Sequence, residues 1–351
     1  MNGLQRIAYV GFVPVLTILS GCLEIASHTE VRRDGSLQRT YTFSGDSTEA
    51  TGQDYPLPID GTWTATLRHT DKGGFERTVT KNFLNDEELN AALMDTTFKC
   101  VHVRVALTKR FQWFFTELRY SETYQNFNPF RTVALSDYVS PSMVEGFYRH
   151  EVRKEPFASR EDSLAMADAG QRFEEWRQRS VFESYYAELA KGVQRLNDES
   201  LTLPILAAQK EQLFKLAGQE ILAKKWDTVT TIVQTVLKTP RVRQALTSNA
   251  DGFSQLKDNV DFMNTILEHP YTASITMPGL ILETNAPTLK GNTATWTEVP
   301  TLAYIGDYDL WIVSRVVNWW MVVLAGVMVI AALGTTTGAL LRRQKRTTTG
   351  S

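Results

Sequence analysis

The chain is poor in the residues that carry covalent and metal chemistry. Of 351 residues only two are cysteine and five are histidine. Cys22 and Cys100 alone cannot build a disulfide framework. The histidines at positions 28, 69, 102, 150 and 269 are scattered, and no His-x-x-x-His pair places two imidazoles on one helix face. Gly-x-Gly-x-x-Gly and Gly-x4-Gly-Lys-Ser/Thr runs are lacking, which removes the usual backbone cradle for phosphate. A Gly-x-Ser-x-Gly nucleophile elbow is lacking too. Charge of one sign is not in excess: 37 basic against 39 acidic side chains leave a formal charge of −2. That balance excludes the basic footprint of a nucleic-acid binder. Apolar residues are not scarce. At 43% hydrophobic and 11% aromatic, the chain is too apolar to stay disordered. These absences predict no enzyme, no metal and no cofactor.

What is present is concentrated first at the two ends. Residues 1–22 read MNGLQRIAYVGFVPVLTILSGC, with Arg6 before an apolar run over 7–19. The run has the length of a signal-peptide core and falls short of the ~20 residues that span a bilayer. Leu19, Ser20 and Gly21 before Cys22 resemble a bacterial lipobox, so Cys22 is the expected lipidation site and 1–21 the cleaved signal. At the other end, residues 318–341 carry no charge and as a helix would reach about 36 Å. That is enough to cross a hydrocarbon core of ~30 Å. Trp319 and Trp320 mark one expected interface; Arg342, Arg343, Lys345 and Arg346 mark the cytoplasmic one. A membrane helix over 316–341 and a basic tail over 342–351 follow. The domain over 22–310 is then expected outside the cytoplasmic (inner) membrane, both of its sheet ends returning to that membrane.

Between the ends, the period of the apolar pattern changes twice. Residues 23–130 alternate as strands: Tyr41 and Phe43; Trp63, Ala65 and Leu67; Val101, Val103, Val105 and Leu107; Phe111, Trp113 and Phe115. Asp34-Gly35 and Lys72-Gly73-Gly74 are turn signals between them. Over 160–268 the spacing becomes helical, with Phe182, Tyr185, Leu189, Val193 and Leu196 on one stripe and Phe253, Leu256, Val260, Met263 and Leu267 on another. Strand signals return over 271–300, where Gly279, Asn285 and Gly291-Asn292 turn the chain and Trp296 offers a large ring to bury. The predicted class is α+β: an antiparallel sheet from N- and C-terminal hairpins, a large helical insertion, and a C-terminal transmembrane helix.

Three of these features together resemble the LppM-type bacterial lipoproteins. They are the lipobox with an early strand pair around Val31-Arg32-Arg33-Asp34-Gly35-Ser36, the late run from Met277-Pro278-Gly279-Leu280 through Asn285 to Gly291-Asn292-Thr293-Ala294-Thr295-Trp296, and the terminal helix with its basic tail. The resemblance implies an α+β envelope domain held at the membrane and handling lipid or glycolipid. It implies no catalytic residues, and it covers the first ~50 and last ~80 residues. The helical stretch over 160–268 is larger than that family's usual insert.

The remaining signals have plain readings. Cys100 and His102 would share a strand face, and Cys100 is expected buried. Asp307 and Asp309 read as a solvated juxtamembrane linker. Phe173 and Trp176 among Arg172, Arg177 and Arg179 read as a packed aromatic stripe under a solvated face. Two functions stay open: a non-enzymatic module binding membrane lipid or another amphiphile, and an assembly protein docking an envelope partner through its helical region.

Overall fold

The computed structural model describes residues 23–45, 55–70, 73–95 and 99–348, with side chains through 337. The class is α+β, and its strands form two sheets instead of one. The first has the order β3-β4-β2-β1-β7-β10-β9, from Glu24–Val31 (β1), Leu37–Gly45 (β2), Thr64–His69 (β3), Phe75–Phe83 (β4), Tyr271–Thr276 (β7), Thr288–Lys290 (β9) and Thr293–Trp296 (β10). The second has the order β5-β6-β11-β8, from Val103–Gln112 (β5), Phe115–Tyr124 (β6), Leu280–Thr284 (β8) and Tyr308–Val317 (β11). N-terminal hairpins and C-terminal strands therefore mix in both sheets. One junction is parallel: β1 runs alongside β7, Ile25 opposite Tyr271.

Period-2 burial explains the strands. In β2 Leu37, Arg39, Tyr41 and Phe43 are all buried, and in β6 Leu118, Tyr120, Glu122 and Tyr124 are buried. These files face each other across one core that includes Trp63, Phe83 and Trp296. β3 departs from expectation. It is an edge strand exposed throughout, so Ala65 and Leu67 face water and only Trp63, just before it, enters the core.

The expected helical insertion is present from Arg160 to Leu267. Its spine is Arg160–Leu196 (α3), 37 residues or about 55 Å long. Ser159 caps its first turn through Asp162 N–H. Leu203–Ala208 (α4), Lys210–Leu222 (α5), Trp226–Leu237 (α6), Val242–Ser248 (α7) and Ala250–Leu267 (α8) pack around it. Phe182, Tyr185, Leu189 and Val193 are buried as their spacing requires. The predicted connection over 248–252 shrinks to Asn249, which joins α7 to α8. Three helices were not expected. Asp86–Leu93 (α1) begins on an Asn85 cap, with Glu88 reaching back to Leu84 N–H at 2.7 Å. Pro141–Phe147 (α2) precedes the insertion, and Val299–Ile305 (α9) leads into β11.

Residues 306–309 are no linker. Asp309 lies in β11 and accepts from Thr123 Oγ1 at 2.5 Å, while Asp307 accepts from Asn126 N–H at 2.8 Å. The folded domain thus runs through Val317, seven residues past the expected boundary at 310. Cys100 also differs: it sits on a bend before β5, so it shares no strand face with His102. It is buried, and burial with help from Asp95 pushes its thiol up to about 11, leaving it protonated and unreactive at neutral pH.

Gly279 shows why the late run needs glycine. Its φ is 83°, and an added Cβ would meet the carbonyl oxygen of Arg315 at 2.3 Å. Gly279→Ala is expected to cost about 1–3 kcal/mol from backbone strain, read as a lowered urea midpoint with unchanged slope.

Candidate functional site

Among the described residues no three His, Cys, Asp or Glu side chains converge as metal ligands. The most charged buried place is the seam between the sheets. Arg39 Nη1 donates to Glu122 Oε1 at 2.7 Å, both side chains 1% exposed. The same oxygen accepts from Thr29 Oγ1 and from the Tyr120 hydroxyl, at 2.8 and 2.9 Å. Tyr124 donates to Glu122 Oε2, and its hydroxyl lies 3.3 Å from that of Tyr271. Burial alone would push the Glu122 carboxyl up; the Arg39 guanidinium and the hydroxyl donors outweigh it and hold the carboxyl below its usual range. The carboxylate and hydroxyls of this network bond one another, while Arg39 Nε is buried without a partner among the described residues. Its chemistry is cohesion: Thr29, Arg39 and Tyr271 belong to the first sheet, Tyr120, Glu122 and Tyr124 to the second.

An apolar cavity of about 250 Å³ lies elsewhere, between α2, α3 and α9. Leu135, Val139, Met143, Val144 and Phe147 form one wall, Met166, Ala169, Gly170 and Phe173 a second, and Ile305 and Thr301 a third. Its two charged lining residues are both acidic, Glu151 and Glu298. Glu298 sits at φ 58° at the start of α9, and Glu151 keeps its side chain 45% exposed beside Lys154. The volume exceeds the ~150 Å³ dry cavity that takes benzene and falls just under the ~300 Å³ of small drug sites. Phe173 was expected only as packing; it packs on Trp176 and also lines this space. Arg172, Arg177 and Arg179 are paired with Asp168, Glu174 and Glu183 on the outer face.

The third feature is the end of the domain where β11 gives way to Trp319–Thr348 (α10). Over Trp319–Thr337 this helix is long and apolar enough to cross a membrane, with 6% of it buried against the domain. It starts three residues later than expected, because Val316 and Val317 still pair in β11. Trp319 and Trp320 stand exposed in its first turn. The side chains of Arg342, Arg343, Lys345 and Arg346 lie outside the described residues, as do Leu19, Ser20, Gly21 and Cys22.

The first described residue, Leu23, is at the opposite end. It is buried just before Ile25, whose N–H donates to Pro270 O beside Tyr271 and the Tyr124 end of β6. β1 then travels about 25 Å, at roughly 3.3 Å per residue, before the turn that holds Arg33 beside Trp319 and Trp320. The chain therefore enters at Leu23 and leaves at Val317 at opposite ends of the strands.

These features define an α+β domain with an apolar cavity in its helical layer and a projecting apolar helix at one end. No family model matches the chain, and no curated protein matches it either. Among solved structures, the NMR structure of the folded domain of LppM from Mycobacterium tuberculosis aligns over 85% of this chain and 92% of that one, at 8% identity and a TM-score of 0.28.

Proposed function

We propose that the chain is a membrane-anchored bacterial envelope lipoprotein, not an enzyme, whose domain faces the extracytoplasmic side and takes up the single apolar chain of an amphiphile. The cavity between α2, α3 and α9 carries this reading. A roomy pocket open to solvent and lined mainly by apolar side chains is the ordinary form of a small-ligand site. The lining holds no cation to bind an anionic head, and Glu298 adds a carboxylate, so the ligand class is a neutral or cationic single-chain amphiphile. Because Tyr308 begins β11 and α10 follows its far end, the cavity beside α9 stands roughly 30 Å from the helix entry. Lipid on Cys22, if placed in the same leaflet as α10, would lay the strands along the membrane surface.

The test uses the full chain in lipid nanodiscs with a photoreactive long-chain alcohol. Adducts are expected on peptides from 135–147 and 166–173, and Ala169→Phe, which fills the cavity, is expected to lower them at least tenfold, roughly 1.4 kcal/mol of binding. The matching fatty acid is expected to label more weakly. Adducts confined to α10 would defeat the reading. The competing function, docking of an envelope protein, is supported by the exposed Leu203 and Ile205 of α4 and Leu216 of α5. Crosslinking from those positions to one abundant membrane protein, with an empty cavity, would favour it.

A further inference from the structure

The β5–β6 hairpin breaks the rules of its own turn. Gln112 pairs with Phe115, so Trp113 and Phe114 alone form the loop. Two-residue loops favour Asn-Gly or Gly-containing pairs, because their first residue takes positive φ. Here Trp113 takes it, at φ 52°, and the residue is 69% exposed. Phe111, Phe114 and Phe115 are exposed around it. A bulky residue in the left-handed region and four aromatic rings in water are two separate costs at one place. Such local violations collect where function requires them.

The tip is also fastened to the base of α10. Asn318 N–H donates to Phe114 O at 2.7 Å, and Asn318 Nδ2 donates to Trp113 O at 2.9 Å. Thr116 Oγ1 donates to Asn318 Oδ1 at 2.9 Å, and the Phe111 ring stacks on Trp320 at 6.1 Å and 15°. Both loop carbonyls are thus satisfied by protein, the condition for placing a turn where water is scarce. Arg110 on the ladder and Arg33 beside Trp319 stand just behind the rings, exposed. Aromatic rings in front and cations behind match the order of a bilayer's acyl boundary and its anionic headgroups.

We infer that the β5–β6 hairpin tip, Phe111 to Phe115, inserts into the membrane interface beside α10 as a second, shallow contact that sets the tilt of the domain. This rests on the anchoring role proposed for α10. The occupant is the lipid surface, since the tip is continuous with a helix of bilayer-spanning length.

The experiment uses the full chain with Cys22→Ser, reconstituted in vesicles of phosphatidylglycerol and phosphatidylethanolamine, carrying one nitroxide at a time. Cys100, buried and protonated, stays unlabelled. Trp113→Cys is expected to read about 5–10 Å below the headgroups by oxygen and nickel accessibility, Val327→Cys deeper, and Leu67→Cys in water. Phe114→Cys supplies a second reading if the first variant does not fold. Adding Asn318→Ala is expected to return the label at 113 toward water while 327 is unchanged. A label at 113 in water with 327 in lipid overturns the inference alone. Labels at both 113 and 327 in water overturn the anchoring role. Protection of 113 from both relaxants, as in a contact with protein or a second copy, also overturns the inference.

Discussion

Glu122→Gln is expected to destabilise the domain by about 3–5 kcal/mol, the cost of leaving a buried cation without its partner. Against a typical total of about 5–15 kcal/mol, that is enough to unfold much of the population at 37 °C. The cause is specific. Arg39 is buried with Glu122 as its ion-pair partner, and it also stacks over Tyr41 at 5.0 Å, from where it has no route to water. A neutral amide accepts fewer of the donors that Thr29, Arg39 and Tyr120 aim at Oε1. Arg39→Met combined with Glu122→Leu should recover most of the loss, because it removes both charges together. A residue of about 1–3 kcal/mol should persist, since the Thr29 and Tyr120 hydroxyls would then lack an acceptor. Urea titration followed by circular dichroism on the full chain in detergent decides it. A single variant within 1 kcal/mol of the parent would show that water reaches the seam.

The same network sets an acid limit. Glu122 titrates lower folded than unfolded, so its contribution is complete above the ordinary carboxylate range near pH 4.3 and is lost as pH falls through the depressed folded value. His28 adds an earlier step. Burial first, then Arg39, holds its imidazole below the usual value, while Ser274 Oγ lies 2.9 Å from Nδ1. Its stabilising share is full above about pH 6.5 and falls away as pH drops through its folded value. Burial also holds His269 below the usual value, so stability should decline in two stages on acidification, and His28→Gln should shrink the upper stage while leaving the lower.

This seam is legible in the strand phase. In Leu37-x-Arg39-x-Tyr41-x-Phe43 an arginine occupies the apolar phase, and in Leu118-x-Tyr120-x-Glu122-x-Tyr124 a glutamate does the same. Two opposite charges, each in a buried file, point to one another. The helical stripes through Phe182 and Phe253 were readable because a helix face is a local, periodic property. The parallel pairing of β1 with β7 was not, since it joins residues 246 apart with no turn to set the register. The hairpin tip misled for a physical reason: Phe111, Trp113 and Phe115 alternate like a strand face, and no glycine marks the turn. α1 did carry a signal, Asn85 three residues before Glu88, that strand alternation on either side overshadowed. The cavity could not be read at all. Its walls come from 135–147, 166–173 and 298–305, which only the folded chain brings together.

Trp296→Ala should be the other severe substitution, at about 3–5 kcal/mol. Trp296 is wholly buried in β10, at the inner face of the first sheet. Its indole N–H donates to Asn285 Oδ1 at 3.1 Å, and that oxygen also accepts from Trp311 N–H at 2.9 Å. Asn285 Nδ2 completes the clamp on Asp309 O at 2.7 Å. One asparagine therefore ties the first sheet's largest ring to the β8–β11 edge of the second. Truncation to alanine leaves a cavity and frees that clamp on one side only, because Trp311 still occupies the oxygen. Trp296→Phe separates the two effects. It keeps a ring in place and loses the indole donor, so about 2 kcal/mol is expected. Asn285→Ala, which keeps the ring and removes three hydrogen bonds, should fall between the two. Hydrogen exchange on the full chain provides the decisive readout. If Trp296 joins the sheets, its alanine variant must lose protection in β6 and β11 as well as in β7 and β10. Loss confined to β7, β9 and β10 would mean that the shared apolar core and the Arg39–Glu122 seam join the sheets without help from Trp296.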